Sequence, residues 1–127
     1  MSYSDMVLEH FINPRNAGYI SDPDGEGIMG DPSCGDFLRI YISVKDNHIS
    51  DIKFEIFGCP AAIATSSILT ELAKGKELDE ALTLTDMDVV RALGGLPDPK
   101  VHCSNLGAGA LHEAIHDYKR RQQEEKE

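Results

Sequence analysis

Phe37-Leu38-Arg39-Ile40-Tyr41-Ile42-Ser43-Val44, then Lys45-Asp46-Asn47-His48, then Ile49-Ser50-Asp51-Ile52-Lys53-Phe54-Glu55-Ile56-Phe57 is the stretch that decides the fold. β-Branched and aromatic residues dominate both runs, and polar residues alternate with apolar ones at the period of two that a half-buried strand requires. The four residues between the runs carry turn chemistry, so the segment reads as a β-hairpin. Leu38, Ile40, Ile42 and Val44 are expected to face the core, with Arg39 and Ser43 outside.

Moving outward, Gly58-Cys59-Pro60 follows the hairpin, and Pro60 suits the first position of a helix running to about Lys74. Ile63, Ser67, Ile68 and Leu72 recur along that helix and Gly75 ends it. Upstream, the Gly-, Pro- and Asp-rich segment Arg15 to Gly35 reads as loop with a short marginal strand around Gly27 to Gly30. Before it, Ser4 caps a helix whose apolar stripe is Val7, Leu8, Phe11 and Ile12, ended by Pro14.

Downstream, Asp79 to Leu82 reads as a turn of helix, and Thr85 caps a helix from Asp86 to Leu93 closed by Gly94-Gly95. Leu96-Pro97-Asp98-Pro99-Lys100 is an extended linker. A final helix from Ser104 to about Gln123 buries Leu106, Ala110, Leu111, Ala114, Ile115 and Tyr118, and residues 124–127 are expected to fray. The 127 residues, 41% of them apolar, fit a single domain, 1–127, with one modest core.

The net charge of −10 sets a negative field around the molecule. It disfavours nucleic acid and anionic membrane surfaces as partners and suits a basic protein face or a metal cation. No run approaches the roughly 18 apolar residues of a membrane span, and Met1 to Leu8 lacks a signal-peptide pattern, so the expected compartment is the cytosol. Three cysteines cannot pair completely, and in a reducing compartment the thiols stay free for metal or catalysis.

A free cysteine is most often a small buried hydrophobe. Here none sits inside an apolar run: Cys34 lies in Pro32-Ser33-Cys34-Gly35-Asp36 before a strand, and Cys59 and Cys103 each stand at a helix start. Helix N-termini favour thiolate over thiol, and the thiolate is the form that ligates metal or attacks sulfur. Three thiolates and one further donor complete a tetrahedral zinc site or the protein ligands of a two-iron cluster. Asp36 and His102, next to the cysteines in sequence, are the candidates for the fourth. The cysteines lack the Cys-x-x-Cys pairs of a zinc ribbon, so spacing alone leaves the purpose open.

A competing pattern is His112-Glu113-Ala114-Ile115-His116, which matches the H-E-x-x-H of zinc proteases. Only Asp117 and a charged tail follow to supply a third ligand, and both histidines fall beside the apolar stripe, so the expectation is an exposed polar face. His10 and His48 are expected at the surface. Gly107-Ala108-Gly109 lacks the preceding strand of a phosphate loop and reads as helix packing.

Ser-Cys-Gly-Asp at 33–36, Phe-Gly-Cys-Pro-Ala-Ala-Ile-Ala at 57–64 and Lys-Val-His-Cys-Ser at 100–104 resemble the three cysteine motifs of the IscU-type iron-sulfur cluster assembly scaffolds. The same domain forms the N-terminal part of NifU proteins. The resemblance extends through Tyr3-Ser4, Asn13-Pro14-Arg15-Asn16, Lys74-Gly75-Lys76, Leu78-Asp79-Glu80-Ala81 and Asp117-Tyr118-Lys119. It implies an α+β fold, a small antiparallel sheet of about three strands with helices packed on it.

It also implies that Cys34, Cys59 and Cys103 bind a [2Fe-2S] cluster, with Asp36 or His102 as exchangeable fourth ligand, and that the cluster-free site takes Fe2+ or Zn2+. By the same likeness Cys103 receives persulfide sulfur, and Asp36 makes the cluster labile. The implied partners are a cysteine desulfurase and iron-sulfur acceptor proteins, with a homodimer as an option.

The chain departs from the family at Leu96-Pro97-Asp98-Pro99-Lys100, where many bacterial members carry the Leu-Pro-Pro-Val-Lys read by an Hsp70-type chaperone, which counts against that partnership. Pro60 replaces a small flexible residue. The step from Cys59 to Cys103 leaves no room for the insertion of SufU-type sulfurtransferases, which favours a scaffold over the alternative, a zinc-containing sulfur-relay protein using Cys103 as persulfide acceptor.

Overall fold

The structure is a computed structural model and describes residues 5–31, 36–57, 60–92 and 105–126. The hairpin forms the centre and one side of a three-stranded antiparallel sheet, with strands in the order β1-β2-β3. β2 (Asp36–Lys45) turns into β3 (His48–Phe57) through Asp46 and Asn47, whose φ angles of 53° and 64° match a tight two-residue hairpin turn. Phe37 stands opposite Phe57 at one end and Lys45 opposite His48 at the other, with an irregularity between Ser43 and Val44. Leu38, Ile40 and Ile42 are fully enclosed as expected, while Val44, beyond the irregularity, is only half-buried.

β1 (Gly25–Asp31) is longer than the short strand expected at Gly27 to Gly30. Three of its seven residues are glycine, so propensity argues against a strand there. Continuous pairing with β2, from Gly25 opposite Ile42 to Asp31 opposite Asp36, overrides it.

Five helices complete the described chain: α1 (Asp5–Ile12), α2 (Pro60–Ala73), α3 (Leu78–Ala81), α4 (Asp86–Ala92) and α5 (Asn105–Lys126). α2 packs on β3, α5 packs on β1 and β2, and Leu69 of α2 faces Gly107 of α5, so both helices share one face of the sheet. Between helices and sheet lies the core of Leu38, Ile40, Ile42, Ile52, Phe54, Leu69, Leu111, Ala114 and Ile115. On the opposite face Tyr41 donates a hydrogen bond to Glu55, and the Arg39 guanidinium lies 5.5 Å from the centre of the Phe37 ring.

Three expectations about the helices are corrected. Of the apolar stripe assigned to α1, Leu8, Phe11 and Ile12 do not turn inward, being 43, 38 and 77% exposed, and His10, expected at the surface, is 1% exposed. Its Nδ1 lies 2.7 Å from Ser67 Oγ, which also accepts the Arg15 N–H at 2.8 Å. The α2 flank that meets this region carries Ser67 and Thr70, and Asn16 donates to Thr70 Oγ1 at 3.0 Å. A hydroxyl-lined surface selects polar partners, which hydrophobic periodicity cannot foresee. Finally, α5 continues beyond Gln123 to Lys126.

The Thr85 cap is present. Thr85 Oγ1 accepts the Asp88 N–H at 3.3 Å and Asp88 Oδ2 accepts the Thr85 N–H at 2.9 Å, a reciprocal capping box. These bonds from Thr85, with Arg91 alongside, hold the Asp88 carboxyl below its ordinary range. Among the described residues no helix is long and apolar enough to cross a membrane.

Candidate functional site

Of the expected site residues, Asp36 is the first residue of β2. Cys34, Cys59, His102 and Cys103 lie outside the described residues, as do Tyr3, Ser4 and the linker 96–100. The elements that flank the cysteines fix where the connections carrying them emerge.

Cys34 lies between Asp31 and Asp36, which face each other as the last pair of β1 and β2. Cys59 lies between Phe57 and Pro60, and Phe57 stands beside Phe37, one residue from Asp36. Both connections therefore leave the same end of the sheet. α2 runs back from there: Gly75, just after its C-terminus, donates to the Ile49 carbonyl at 2.8 Å, at the opposite end of β3.

The direction of α5 follows from its contacts along β1. Arg121 Nη1 donates to the Pro23 carbonyl at 2.8 Å, and Asp117 Oδ2 accepts the Glu26 N–H at 3.0 Å. Gly25 lies against Ala114, Gly27 against Ala110, and Met29 against Gly109. As β1 advances toward Asp31, α5 recedes toward its N-terminus at Asn105, two residues after Cys103. The described elements on either side of Cys34 and Cys59, and the start of α5 after Cys103, thus lie at one end of the sheet. Each cysteine is tethered within one or two residues of a described element, a covalent reach of at most about 7 Å.

The electrostatics at this end suit thiolates. α2 and α5 both begin here, and neither has an acidic residue in its first turn, whereas α1 opens with Asp5 and α3 with Asp79 and Glu80. Uncompensated helix N-termini favour an adjacent anion by about 0.3–1 kcal/mol each at the surface. Beside this end the Phe57 ring is 67% exposed, with its centroid 6.3 Å from that of Phe37.

The H-E-x-x-H segment is placed differently from expectation. His116 is exposed, but His112 is half-buried and its Nε2–H donates to the Leu84 carbonyl at 3.1 Å. It ties α5 to the connection between α3 and α4. Among the described residues no three His, Cys, Asp or Glu side chains are grouped to hold a metal ion. His48, the first residue of β3, is exposed as expected beside the hairpin turn, donating from Nδ1 to the Asp46 carbonyl.

The close approach of α5 to the sheet at Gly25 and Gly27 is not foreseen from the sequence. Their spacing, two apart on one strand face, is the sequence signal of a close approach by another backbone.

A family model described as NifU-like N terminal domain matches residues 2–125. The chain is 62% identical over 119 residues to the iron-sulfur cluster assembly scaffold protein IscU 1 of Archaeoglobus fulgidus, covering 94% of this chain and 78% of that protein. It is 45% identical over 123 residues to the iron-sulfur cluster assembly scaffold protein IscU of Escherichia coli, covering 94% and 95%. Among solved structures, a putative iron-sulfur cluster assembly scaffold protein for the SUF system from Fervidobacterium islandicum superposes with a TM-score of 0.72 at 25% identity, covering 89% of this chain and 96% of that one. The N-terminal part of a nitrogen-fixing NifU-like protein from Brucella abortus gives a TM-score of 0.71 at 20% identity, covering 92% and 94%, and bears on the fold alone.

Proposed function

The chain belongs to the NifU-like N-terminal domain family, and from that premise we propose that it is a scaffold on which an iron-sulfur cluster is assembled and from which it is handed on. Relatives similar along nearly the whole chain are named as such scaffolds, which disfavours the zinc-bearing sulfur-relay alternative. The role is assembly rather than catalytic turnover. The observation that supports the proposal is that the described elements flanking Cys34, Cys59 and Cys103 end or begin at one end of the sheet, two of them as helix N-termini free of acidic residues.

In this proposal the cluster is cargo of the [2Fe-2S] type, held by the three cysteine thiolates with Asp36 or His102 as fourth donor, and the empty site takes Fe2+ or Zn2+. Soft thiolates hold iron strongly, and a hard carboxylate at Asp36 holds it less tightly, so the assembled cluster can leave. Cys103 accepts sulfur as a persulfide from a cysteine desulfurase, by thiolate attack on the donor's persulfide sulfur with the donor's cysteine thiolate as leaving group. The partners are that desulfurase and apo-proteins that take the cluster, in the cytosol.

The test is anaerobic reconstitution of the purified protein with iron, cysteine, a desulfurase and a thiol reductant that converts the persulfide sulfur to sulfide. The protein should develop the visible absorbance of sulfide-to-iron charge transfer, Cys34→Ala should lose it, and Asp36→Ala should keep a cluster that transfers more slowly. An Asp36→Ala cluster that leaves as fast as the wild type's would remove the carboxylate from the account.

A further inference from the structure

Resting on the scaffold reading, we propose that Gly25 and Gly27 of β1 are positioning residues for cluster assembly: they let α5 lie in backbone contact with the sheet and so set the separation between the Cys103 and Cys34 connections. A Cβ at Gly27 would stand 2.1 Å from the Ala110 carbonyl oxygen and 2.4 Å from the Ala114 nitrogen. A Cβ at Gly25 would stand 2.3 Å from the Ala114 carbonyl oxygen. Real atoms do not approach so closely, and the opposing atoms are backbone, which no side-chain rotation can clear.

Any side chain at either position therefore moves the whole helix. The other α5 glycines differ: a Cβ at Gly107 would meet the Leu69 Cδ2 and one at Gly109 the Met29 Cε, both at 3.0 Å and both ends of flexible side chains.

The contact has a defined register. Arg121 on the Pro23 carbonyl and Asp117 on the Glu26 N–H pin the helix along the outer edge of β1, while Gly25, Gly27 and Met29 set its height above the strand. β1 ends three residues before Cys34, and α5 begins two residues after Cys103. Lifting α5 from β1 displaces the start of α5, next to Cys103 in sequence, from the end of β1, next to Cys34, while leaving β3 and α2, which flank Cys59, in place. Ligands presented at the wrong separation bind the same metal with fewer bonds.

The experiment titrates Co2+ into reduced wild-type protein, Gly27→Ala, Gly25→Ala and Ile49→Val, each below the onset of its own thermal unfolding. Ile49 is fully buried at the far end of β3 and serves as a core control that weakens packing away from the cysteines. The wild type should show thiolate-to-cobalt charge transfer from three sulfurs. Gly27→Ala should lose the share of one thiolate and bind about 10- to 100-fold more weakly, the usual cost of disturbing what supports a ligand. Ile49→Val should keep the wild-type spectrum.

A folded Gly27→Ala or Gly25→Ala with the wild-type spectrum and affinity overturns the inference while leaving the scaffold reading intact. A wild type without three-thiolate absorbance defeats the ligand assignment beneath it. Failure of both glycine variants to fold also overturns it, because the glycines would then serve the fold rather than the spacing of the ligands.

Discussion

At position 10 a histidine occupies a place that the helix pattern assigned to the surface, and its burial makes it titrate differently from a free imidazole. Burial foremost, with the Arg15 cation second, holds His10 below its ordinary value, while Glu71 and Glu9 act weakly in the opposite sense. The unfolded chain therefore binds a proton that the folded chain resists. The stability this imposes is complete above the unfolded value of about 6.5 and is lost as pH falls toward the folded one. Urea midpoints should fall when pH drops from about 7.5 to about 5.5, and His10→Gln should flatten that fall; an unchanged slope would remove His10 as its source. The glycines divide by what they face. Gly109→Ala should stabilise by up to about 1 kcal/mol through helix propensity, since only the flexible tip of Met29 must give way. Gly27→Ala, set against the Ala110 carbonyl, should cost about 1–3 kcal/mol as an overpacked contact, and thermal unfolding of the two variants checks both signs.

Among the elements, α4 owes its start to the Thr85–Asp88 box, so Thr85→Ala should cost about 1 kcal/mol, read as a lowered thermal midpoint without change in cobalt binding. Elements that follow local rules were legible in the sequence: the hairpin from its alternation, its Asp46-Asn47 turn, the starts of α2 and α4, and the stop at Gly75. Those that depend on distant partners were read less well. β1 is a strand because β2 pairs with all of it, and α1 turns His10 inward because α2 offers Ser67 there. For the proposed site, the three cysteine motifs and the neighbouring Asp36 are candidates by inspection, because ligand chemistry is written in residue type. The close approach of α5 at Gly25 and Gly27 is not legible there, since it needs the register of α5 on β1, settled by contacts about 90 residues apart in the chain such as Glu26 with Asp117.

On the scale of the whole molecule, the described elements that flank the three cysteines meet at a single end of a sheet with helices on one face, and in the proposed site this gathers cysteines far apart in sequence without any Cys-x-x-Cys pair. α5 also carries His112 and His116, and His112 fastens the helix to the Leu84 carbonyl, with no group of three His, Cys, Asp or Glu side chains among the described residues to hold a metal. A His112→Ala/His116→Ala double variant should lose about 1 kcal/mol of stability or less, from the one hydrogen bond, and still assemble a cluster at the wild-type yield. Loss of assembly in that folded variant would restore the histidine pair as a ligand set. The central claim is that Cys34, Cys59 and Cys103 together hold the cluster, and anaerobic reconstitution of the wild type beside the three single cysteine-to-alanine variants tests it most directly. The account predicts stable visible charge-transfer absorbance in the wild type and its loss or rapid decay in every variant. A Cys34→Ala protein that builds an equally intense and equally lasting cluster would contradict it.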